Sequence, residues 1–246
     1  MNKLLDFKTI KLSKLKISVQ NIEEAKRIYH DIFKGKEYFF ETNKKSPLIL
    51  DCGAHVGLSV LYFKTLYPDA RIIAFEPNTN SFQLLKLNVQ QNDLSKVKLV
   101  NAALSNEEGT AQLHVSNETN SPWTWGDAIV KNPWQSPETT KTVKVGIVKL
   151  SKYIIQNVDL IKLDVEGSEA IVLEEIKGKL SLVDRIVMEF HGNRINKDNN
   201  LEKIVKLLED NSFIYKIKQE GELIDLNKVK KDESYWLIIW AKKKTS

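Results

Sequence analysis

The 246-residue chain carries a formal net charge of +5 and contains a single cysteine, Cys52. One cysteine excludes an internal disulfide and a zinc site built from cysteines, so we expect Cys52 to be a small core residue. No apolar run is long enough to cross a bilayer, and the length favours one α/β domain, so we expect a cytoplasmic protein without a membrane span.

The excess of positive charge lies in residues 1–46, which hold eleven Lys or Arg and six Asp or Glu. We interpret 1–46 as a cover segment that belongs to the same domain as 47–246. Its lysines have two interpretations. They shield an exposed edge strand, or they attract an anionic partner such as nucleic acid, a phosphorylated glycan or a membrane surface.

Within the cover segment, apolar and polar residues alternate over 7–19 and change phase near Ser13. This pattern predicts strands with a bulge or turn between them. Asn21 is a typical helix-capping residue and predicts a helix over 22–33. Residues 39 and 40, both Phe, predict a short strand.

Residues 48–57 read LILDCGAHVG, and an apolar stretch over 56–67 follows and ends before Pro68. This order predicts a buried strand, a tight turn and a buried helix, the first unit of a doubly wound α/β sheet. The turn differs from a dinucleotide fingerprint, because Cys52 and Ala54 stand where its first two glycines would be.

Asp51 precedes this turn, and a carboxylate there would repel a pyrophosphate. It suits the ammonium and sulfonium of S-adenosylmethionine, while Gly53 and Gly57 let the backbone approach the methionine end. A second apolar run ends in Glu76, which lies 19 residues after Gly57, close to the spacing expected for an acceptor of ribose hydroxyls. After the next strand, over 97–100, the small side chain of Ala102 leaves room for an adenine ring.

Residues 109–149 interrupt the alternation of strands and helices. Two predicted strands, 111–115 and 143–148, flank a polar loop that holds Trp123, Trp125 and Trp134. Long loops in compact domains are often functional, so we interpret this insertion as a lid whose tryptophans contact the acceptor. The alternative is that the tryptophans cover a sheet edge.

The next two predicted strands, 158–165 and 183–190, bring acidic residues to one edge of the sheet. Ligands bind at this edge in open α/β sheets. The residues expected there are Asp164, Glu166, Glu189 and His191. A helix near 201–208 and two strands, 213–218 and 235–241, follow, and their short connection predicts an antiparallel hairpin that a pure dinucleotide fold lacks.

Three stretches together resemble the FkbM family of S-adenosylmethionine-dependent methyltransferases: DCGAHVG (51–57), FEPN (75–78) and DLIKLDVEGSE (159–169). The resemblance implies a Rossmann-like class I sheet of seven strands with an antiparallel last strand. It also implies O-methylation of a sugar, glycan or natural product. The matching cofactor residues are Asp51, Gly53, Ala54, Gly57 and Glu76, and the matching residues of the third stretch are Lys162, Asp164, Glu166, Gly167 and Glu169. The chain departs from the family by having Ser151 where an Asp is usual.

Methylation of a hydroxyl needs a base, and His191 is the first candidate, oriented by a nearby acid. Glu166 and Glu189 are the next candidates. Alternatively, Asp164, Glu189 and His191 hold Mn²⁺ or Mg²⁺, or His191 only caps a strand. Two further functions stay open, a nucleic-acid methyltransferase and a protein that binds S-adenosylmethionine without chemistry.

Overall fold

The structure is a computed structural model that describes residues 7–116, 126–130 and 140–244. Its strands and α-helices follow in chain order: β1 (Lys8–Leu12), β2 (Leu15–Val19), α1 (Ile22–Tyr29), β3 (Leu48–Cys52), α2 (Leu58–Leu66), β4 (Arg71–Phe75), α3 (Thr79–Gln91), β5 (Val97–Val100), β6 (Ala103–Leu104), β7 (Gly109–Ser116), β8 (Thr140–Val148), β9 (Leu160–Leu163), α4 (Glu169–Glu175), β10 (Arg185–Asn193), α5 (Leu201–Asp210), β11 (Phe213–Gln219), β12 (Glu222–Ile224) and β13 (Ser234–Lys243). None of the helices in these ranges is long and apolar enough to cross a membrane.

The central sheet has the strand order β12-β11-β13-β10-β9-β3-β4-β5. The five strands from β10 to β5 are parallel, whereas β13 runs antiparallel to both β10 and β11. The order reverses between β3 and β9, which opens a cleft at the carboxyl ends of these strands. The sequence predicted seven strands with a reversed last strand, and the structure has an eighth strand, β12, on the edge beside β11.

Both faces of the sheet are covered, which explains why every residue of β3 is buried. Leu48 and Leu50 point to a core layer that includes apolar residues of α4 and α5. Ile49, between them, points to the opposite layer with residues of α1, α2 and α3. The period of two along the strand therefore divides the core into two layers.

The cover segment begins with β1 and β2, which form an antiparallel hairpin. Ser13 lies in its turn with φ 56°, so the predicted phase change marks a turn. The hairpin is joined to α3 by Asn88, whose side chain is completely buried. Its Oδ1 accepts from the backbone N–H of Ser18 at 2.6 Å, and its Nδ2 donates to the carbonyls of Ser18 and Val56 at 2.9 and 2.7 Å.

Two further expectations for the cover segment have different outcomes. Asn21 caps α1, and its side chain accepts from the backbone N–H groups of Glu23 and Glu24. The predicted strand at residues 39 and 40 is wrong, because the backbone there is irregular. Phe40 instead packs against Phe63 and Tyr67, at ring-centroid distances of 6.3 and 5.0 Å. Side-chain packing, and not strand pairing, therefore accounts for Phe40, whereas Phe39 is 39% exposed.

The strands of the insertion form a separate sheet with the order β6-β8-β7. Residues 126–130 return to this sheet through a bridge between His114 and Ala128, with hydrogen bonds of 2.8 and 3.2 Å. The predicted tryptophan loop lies outside the described residues, since Trp123, Trp125 and Trp134 fall in 117–125 and 131–139.

Candidate active site

A cavity of about 840 Å³ lies at the carboxyl ends of β3, β4, β9 and β10. The turn after β3 and the ends of β9 and β10 form its floor, while α1 and the insertion contribute to its walls. Eight of the residues predicted from the sequence for cofactor binding or catalysis line it: Gly53, Ala54, Glu76, Ala102, Asp164, Glu166, Glu189 and His191.

The turn after β3 is fixed by hydrogen bonds to its neighbour β4. The backbone N–H groups of Gly53 and Ala54 donate to the carbonyl of Phe75 at 3.1 and 2.9 Å. The next residue, His55, has φ 47° and directs its own N–H to Oε2 of Glu76 at 2.8 Å. The turn and the acid after β4 therefore form one hydrogen-bonded unit.

Glu76 is 6% exposed, and its two oxygens accept hydrogen bonds from opposite sides. Oε2 accepts from His55, and Oε1 accepts from the backbone N–H of Asn78 at 2.8 Å. Burial raises the pKa of Glu76 to about 8, although these two N–H groups act against the shift. A ligand that donates hydrogen bonds to Glu76 would stabilise its ionised form.

The lining of the cavity also includes apolar residues after β5 and from the insertion: Ala102, Ala103, Leu104, Leu113 and Ile129. Asp127 lies at its edge, and its Oδ2 accepts a hydrogen bond from Nδ2 of Asn78. Burial raises the pKa of Asp127 to about 6. Sequence reasoning missed Asp127, because the insertion has no motif that relates it to the sheet.

Asp51 lies behind the turn and does not line the cavity. Its side chain has no exposure to solvent, and its Oδ2 accepts from the hydroxyl of Ser59 at 2.6 Å. Oδ1 has no hydrogen bond and lies 3.7 Å from Nζ of Lys162. The expectation that Asp51 faces a cofactor ammonium directly is therefore corrected: its carboxylate faces α2 and the ammonium of Lys162.

Lys162 connects Asp51 to the cavity. Its Nζ donates to Asp164 Oδ2 at 3.0 Å and to the carbonyl of Gly53 at 2.5 Å, and it lies 5.4 Å from the ring centroid of Tyr38. Burial alone would lower the pKa of Lys162, but the neighbouring carboxylates outweigh it and raise that pKa. Asp164, with 22% of its side chain exposed, is the carboxylate of this group that reaches the cavity.

Both glycines of the turn are required by packing of the chain on itself. Gly53 has φ 84°, and a Cβ there would lie 1.7 Å from the carbonyl oxygen of Asp164. Gly57 has φ 93°, and a Cβ there would lie 2.6 Å from Cδ1 of Leu85 on α3. The sequence interpretation assigned Gly57 to cofactor approach, whereas the structure relates it to contact between α2 and α3.

His191 is surrounded by carboxylates. Its Nδ1 lies 3.3 Å from Oε1 of Glu169, while its Nε2 lies 3.6 Å from both Oε2 of Glu166 and Oε1 of Glu189. Asn199 fixes this arrangement, since its Nδ2 donates to Oε2 of Glu169 and to the carbonyl of His191. The predicted cluster at the ends of β9 and β10 is thus brought together, with Glu169 and Asn199 supporting it from behind.

The charges of the cluster determine which group carries a proton. Burial alone would lower the pKa of His191, but the surrounding glutamates outweigh it and raise that pKa well above its ordinary value. Burial also raises the pKa of Glu166 to about 8. His191 therefore holds its proton more tightly than an ordinary imidazole, which disfavours it as the group that takes up the hydroxyl proton.

The same cluster has donor atoms suited to a divalent cation. Ligand atoms of Asp164, Glu166 and His191 all lie within 4.8 Å of one another. The sequence alternative named Glu189 where this set has Glu166, although Glu189 is equally close to Nε2 of His191. Two carboxylates and an imidazole are ligands that Mn²⁺ or Mg²⁺ accepts.

The cover segment and the last strands supply the other end of the cavity. The hydroxyl of Tyr38 donates to Oε2 of Glu189 at 3.4 Å. Glu37 pairs with Lys218 at 2.9 Å, and its carbonyl accepts from Nε1 of Trp240 at 2.7 Å. Trp236, 39% exposed, lies opposite His191 in the register of β10 and β13 and also lines the cavity. Sequence reasoning did not predict five of these residues for the site: Glu37, Tyr38, Lys218, Trp236 and Trp240.

The family model described as Methyltransferase FkbM domain matches residues 51–215, more than half of the chain. Methyltransferase sdnD of Sordaria araneosa is 32% identical over 193 residues, which cover 68% of this chain and 74% of that protein. The 31-O-demethyl-FK506 methyltransferase FkbM of Streptomyces tacrolimicus is 24% identical over 229 residues, covering 81% of this chain and 86% of that protein.

Among solved structures, methyltransferase FkbM from Methylobacillus flagellatus KT is similar with a TM-score of 0.53 and 13% identity. The similarity covers 82% of this chain and 45% of that protein, so the chain spans less than half of its length. It shows a shared fold, that of the class I S-adenosylmethionine-dependent methyltransferases. The chain belongs to the FkbM family of methyltransferases.

Proposed function

We propose that the protein transfers the methyl group of S-adenosylmethionine to a hydroxyl oxygen of a sugar, a glycan or a natural product. One observation carries the proposal: a single cavity joins the turn after β3 and Glu76 to the acids and imidazole at the ends of β9 and β10. The relative from Streptomyces tacrolimicus, named for methylation of 31-O-demethyl-FK506, supports an oxygen acceptor.

Cofactor binding would use the half of the cavity around the turn. Glu76 accepts hydrogen bonds from the ribose hydroxyls, and Ala102 lies against the adenine. The partly exposed carboxylate of Asp164 is placed to receive the ammonium of the methionine end, while buried Asp51 and Lys162 hold Asp164 and the turn in position. The methyl group would then point toward the cluster around His191.

In the reaction, the acceptor oxygen forms a bond to the methyl carbon while the bond from that carbon to sulfur breaks. The hydroxyl proton must leave, and a positioned base accelerates such steps by about 10²–10⁴. Because the raised pKa of His191 disfavours it as a proton acceptor, we assign the base to Glu189, which contacts both Tyr38 and His191. His191 then orients Glu189 and the acceptor. This assignment revises the sequence expectation that His191 is the base.

A metal-assisted mechanism is the second candidate, because the ligand atoms of Asp164, Glu166 and His191 lie close together. A divalent cation there would lower the pKa of the acceptor hydroxyl. Methyl transfer measured in EDTA, and again after Mg²⁺ or Mn²⁺ is restored, separates the two mechanisms. Activity that survives EDTA and is lost in Glu189→Gln supports the carboxylate base, whereas recovery only with metal supports the cation.

The function itself is tested with radiolabelled S-adenosylmethionine and fractionated cell extract. We expect label in a hydroxylated small molecule or glycan. Label in RNA or DNA would instead support the nucleic-acid methyltransferase, for which the basic cover segment predicts binding that weakens steeply with salt. Tight cofactor binding with no label in any fraction would support the non-catalytic alternative.

A further inference from the structure

Asp127 belongs to the insertion, yet its carboxylate reaches the edge of the cavity next to the cofactor half. The bridge between Ala128 and His114 holds its backbone on β7. Nδ2 of Asn78 and the backbone of Ser116 both hydrogen-bond to its side chain. Asp127 is therefore fixed from two sides, by the central sheet and by the insertion.

The contacts place Asp127 beyond Glu76 along the cavity. One oxygen of Glu76 accepts from the turn at His55, and the other accepts from Asn78 on the opposite side. Asn78 in turn contacts Asp127. If the turn holds the methionine end and Glu76 the ribose, the part of the cofactor that reaches Asp127 is the base.

The pocket beside Asp127 fits a flat apolar ring, since its walls are alanine, leucine and isoleucine side chains: Ala102, Ala103, Leu104, Leu113 and Ile129. A carboxylate can only accept hydrogen bonds, and it offers about four acceptor positions; within the part of the chain that the structure describes, Asn78 and Ser116 use two of them. Adenine presents ring nitrogens as acceptors and a single exocyclic amine as donor. The amine is the one group of the base that suits Asp127.

We propose that Asp127 accepts a hydrogen bond from the 6-amino group of adenine, so that the insertion forms part of the cofactor site and selects an adenosyl over an inosyl cofactor. This inference rests on the proposed function, because it requires S-adenosylmethionine as the methyl donor. It extends that function by assigning base recognition to a segment outside the central sheet.

Calorimetry with two probes, S-adenosylhomocysteine and S-inosylhomocysteine, tests the proposal. The inosyl probe has a carbonyl oxygen in place of the amine and would set an acceptor against the carboxylate. We expect the wild-type protein to bind the adenosyl probe at least about tenfold more tightly, since it alone completes the hydrogen bond. In Asp127→Asn the side-chain amide can donate to the carbonyl, so the preference should fall to about threefold or less, or invert.

Three comparisons make the result specific. Asp232→Asn removes the same charge at an exposed position outside the cavity and should keep the wild-type preference. Glu76→Gln should weaken both probes alike and leave their ratio unchanged. Asp127→Ala, which cannot donate, should lower the preference without inverting it, and it serves as the second variant if Asp127→Asn does not fold.

Equal binding of both probes to the wild type, or an unchanged preference in folded Asp127→Asn and Asp127→Ala, would overturn the role of Asp127 and leave the proposed function intact. Failure of the wild type to bind S-adenosylhomocysteine would overturn both the role of Asp127 and the proposed function. Strong selection for the adenosyl probe that disappears only when Asp127 is changed would support the inference.

Discussion

Nδ1 of His191 lies 3.3 Å from Oε1 of Glu169, a glutamate whose side chain has no exposure to solvent. The contact fixes the imidazole and turns Nε2 toward the cavity. A buried carboxylate behind a histidine is a common way to set the orientation and basicity of the ring.

Replacement of Glu169 should lower the pKa of His191. Glu169→Gln removes one of the carboxylates that outweigh burial and raise this pKa in the folded protein. NMR titration of the imidazole resonances, assigned with His191→Gln, measures the change, and Asp232→Asn is the control for charge. An unchanged His191 pKa would mean that the other carboxylates alone hold the proton on the ring.

Glu76 should make the ligand-free protein less stable as the pH rises. Its pKa is about 8 in the fold and has a reference value of 4.5, so the folded state binds more protons between these values. The free energy of unfolding therefore falls from pH 4.5 to pH 8, by at most about 5 kcal/mol from this group.

Glu76→Gln should flatten this decline, as measured by urea denaturation at several pH values. Glu41→Gln, at an exposed position of the same residue type, is the control and should retain the wild-type slope. If the free energy of unfolding of Glu76→Gln falls with pH as steeply as that of the wild type, other ionisable groups cause the decline.

Lys162→Met should destabilise the protein by about 3–5 kcal/mol, because it leaves buried carboxylates without their cation. Lys162 is 2% exposed and lies near Asp51 and Asp164. The control is Lys26→Met, which breaks a surface pair with Glu23 and should cost less than about 1 kcal/mol. Chemical denaturation measures both, and equal losses would contradict a structural role for Lys162.

Gly57→Ala should destabilise the protein by about 1–3 kcal/mol, because φ is 93° and the new methyl group would meet Leu85. Gly178→Ala is the control, since a Cβ there meets no atom within 4 Å. Adding Leu85→Val to Gly57→Ala should recover the part of the loss that is due to the clash. Loss of S-adenosylhomocysteine binding without loss of stability would instead restore the original cofactor role of Gly57.

The parts that could be predicted from sequence are those with a local signal. The all-buried strand before Gly53, the acid at Glu76 and the acids after β9 all follow from hydrophobic runs and short motifs. Asp51 shows the limit of this reasoning, because a pattern identifies a buried carboxylate but not its partner. The direction in which the Asp51 carboxylate points depends on Ser59 in the first turn of α2 and on Lys162 in another strand.

The residues missed by sequence reasoning all act across long separations. Tyr38 contacts Glu189 over 151 positions, and Asn78 contacts Asp127 over 49. Such pairs depend on how the cover segment and the insertion dock on the sheet, and neither segment has a periodic pattern that determines docking. The raised pKa of His191 depends in part on such contacts, since Glu166 and Glu169 reach it from the segment after β9, whereas Glu189 lies on its own strand.

Asn88 has a practical consequence for anyone who trims this protein. A fragment that begins at residue 47, just before β3, would retain Asn88 but lose Ser18, which uses two of its hydrogen bonds. A buried side-chain amide without its hydrogen-bond partner lowers the free energy of unfolding by about 1–3 kcal/mol. The apolar face of α3 would also lose the hairpin that covers it. Expression boundaries that retain β1 and β2 should therefore give a more stable product than boundaries that begin at β3.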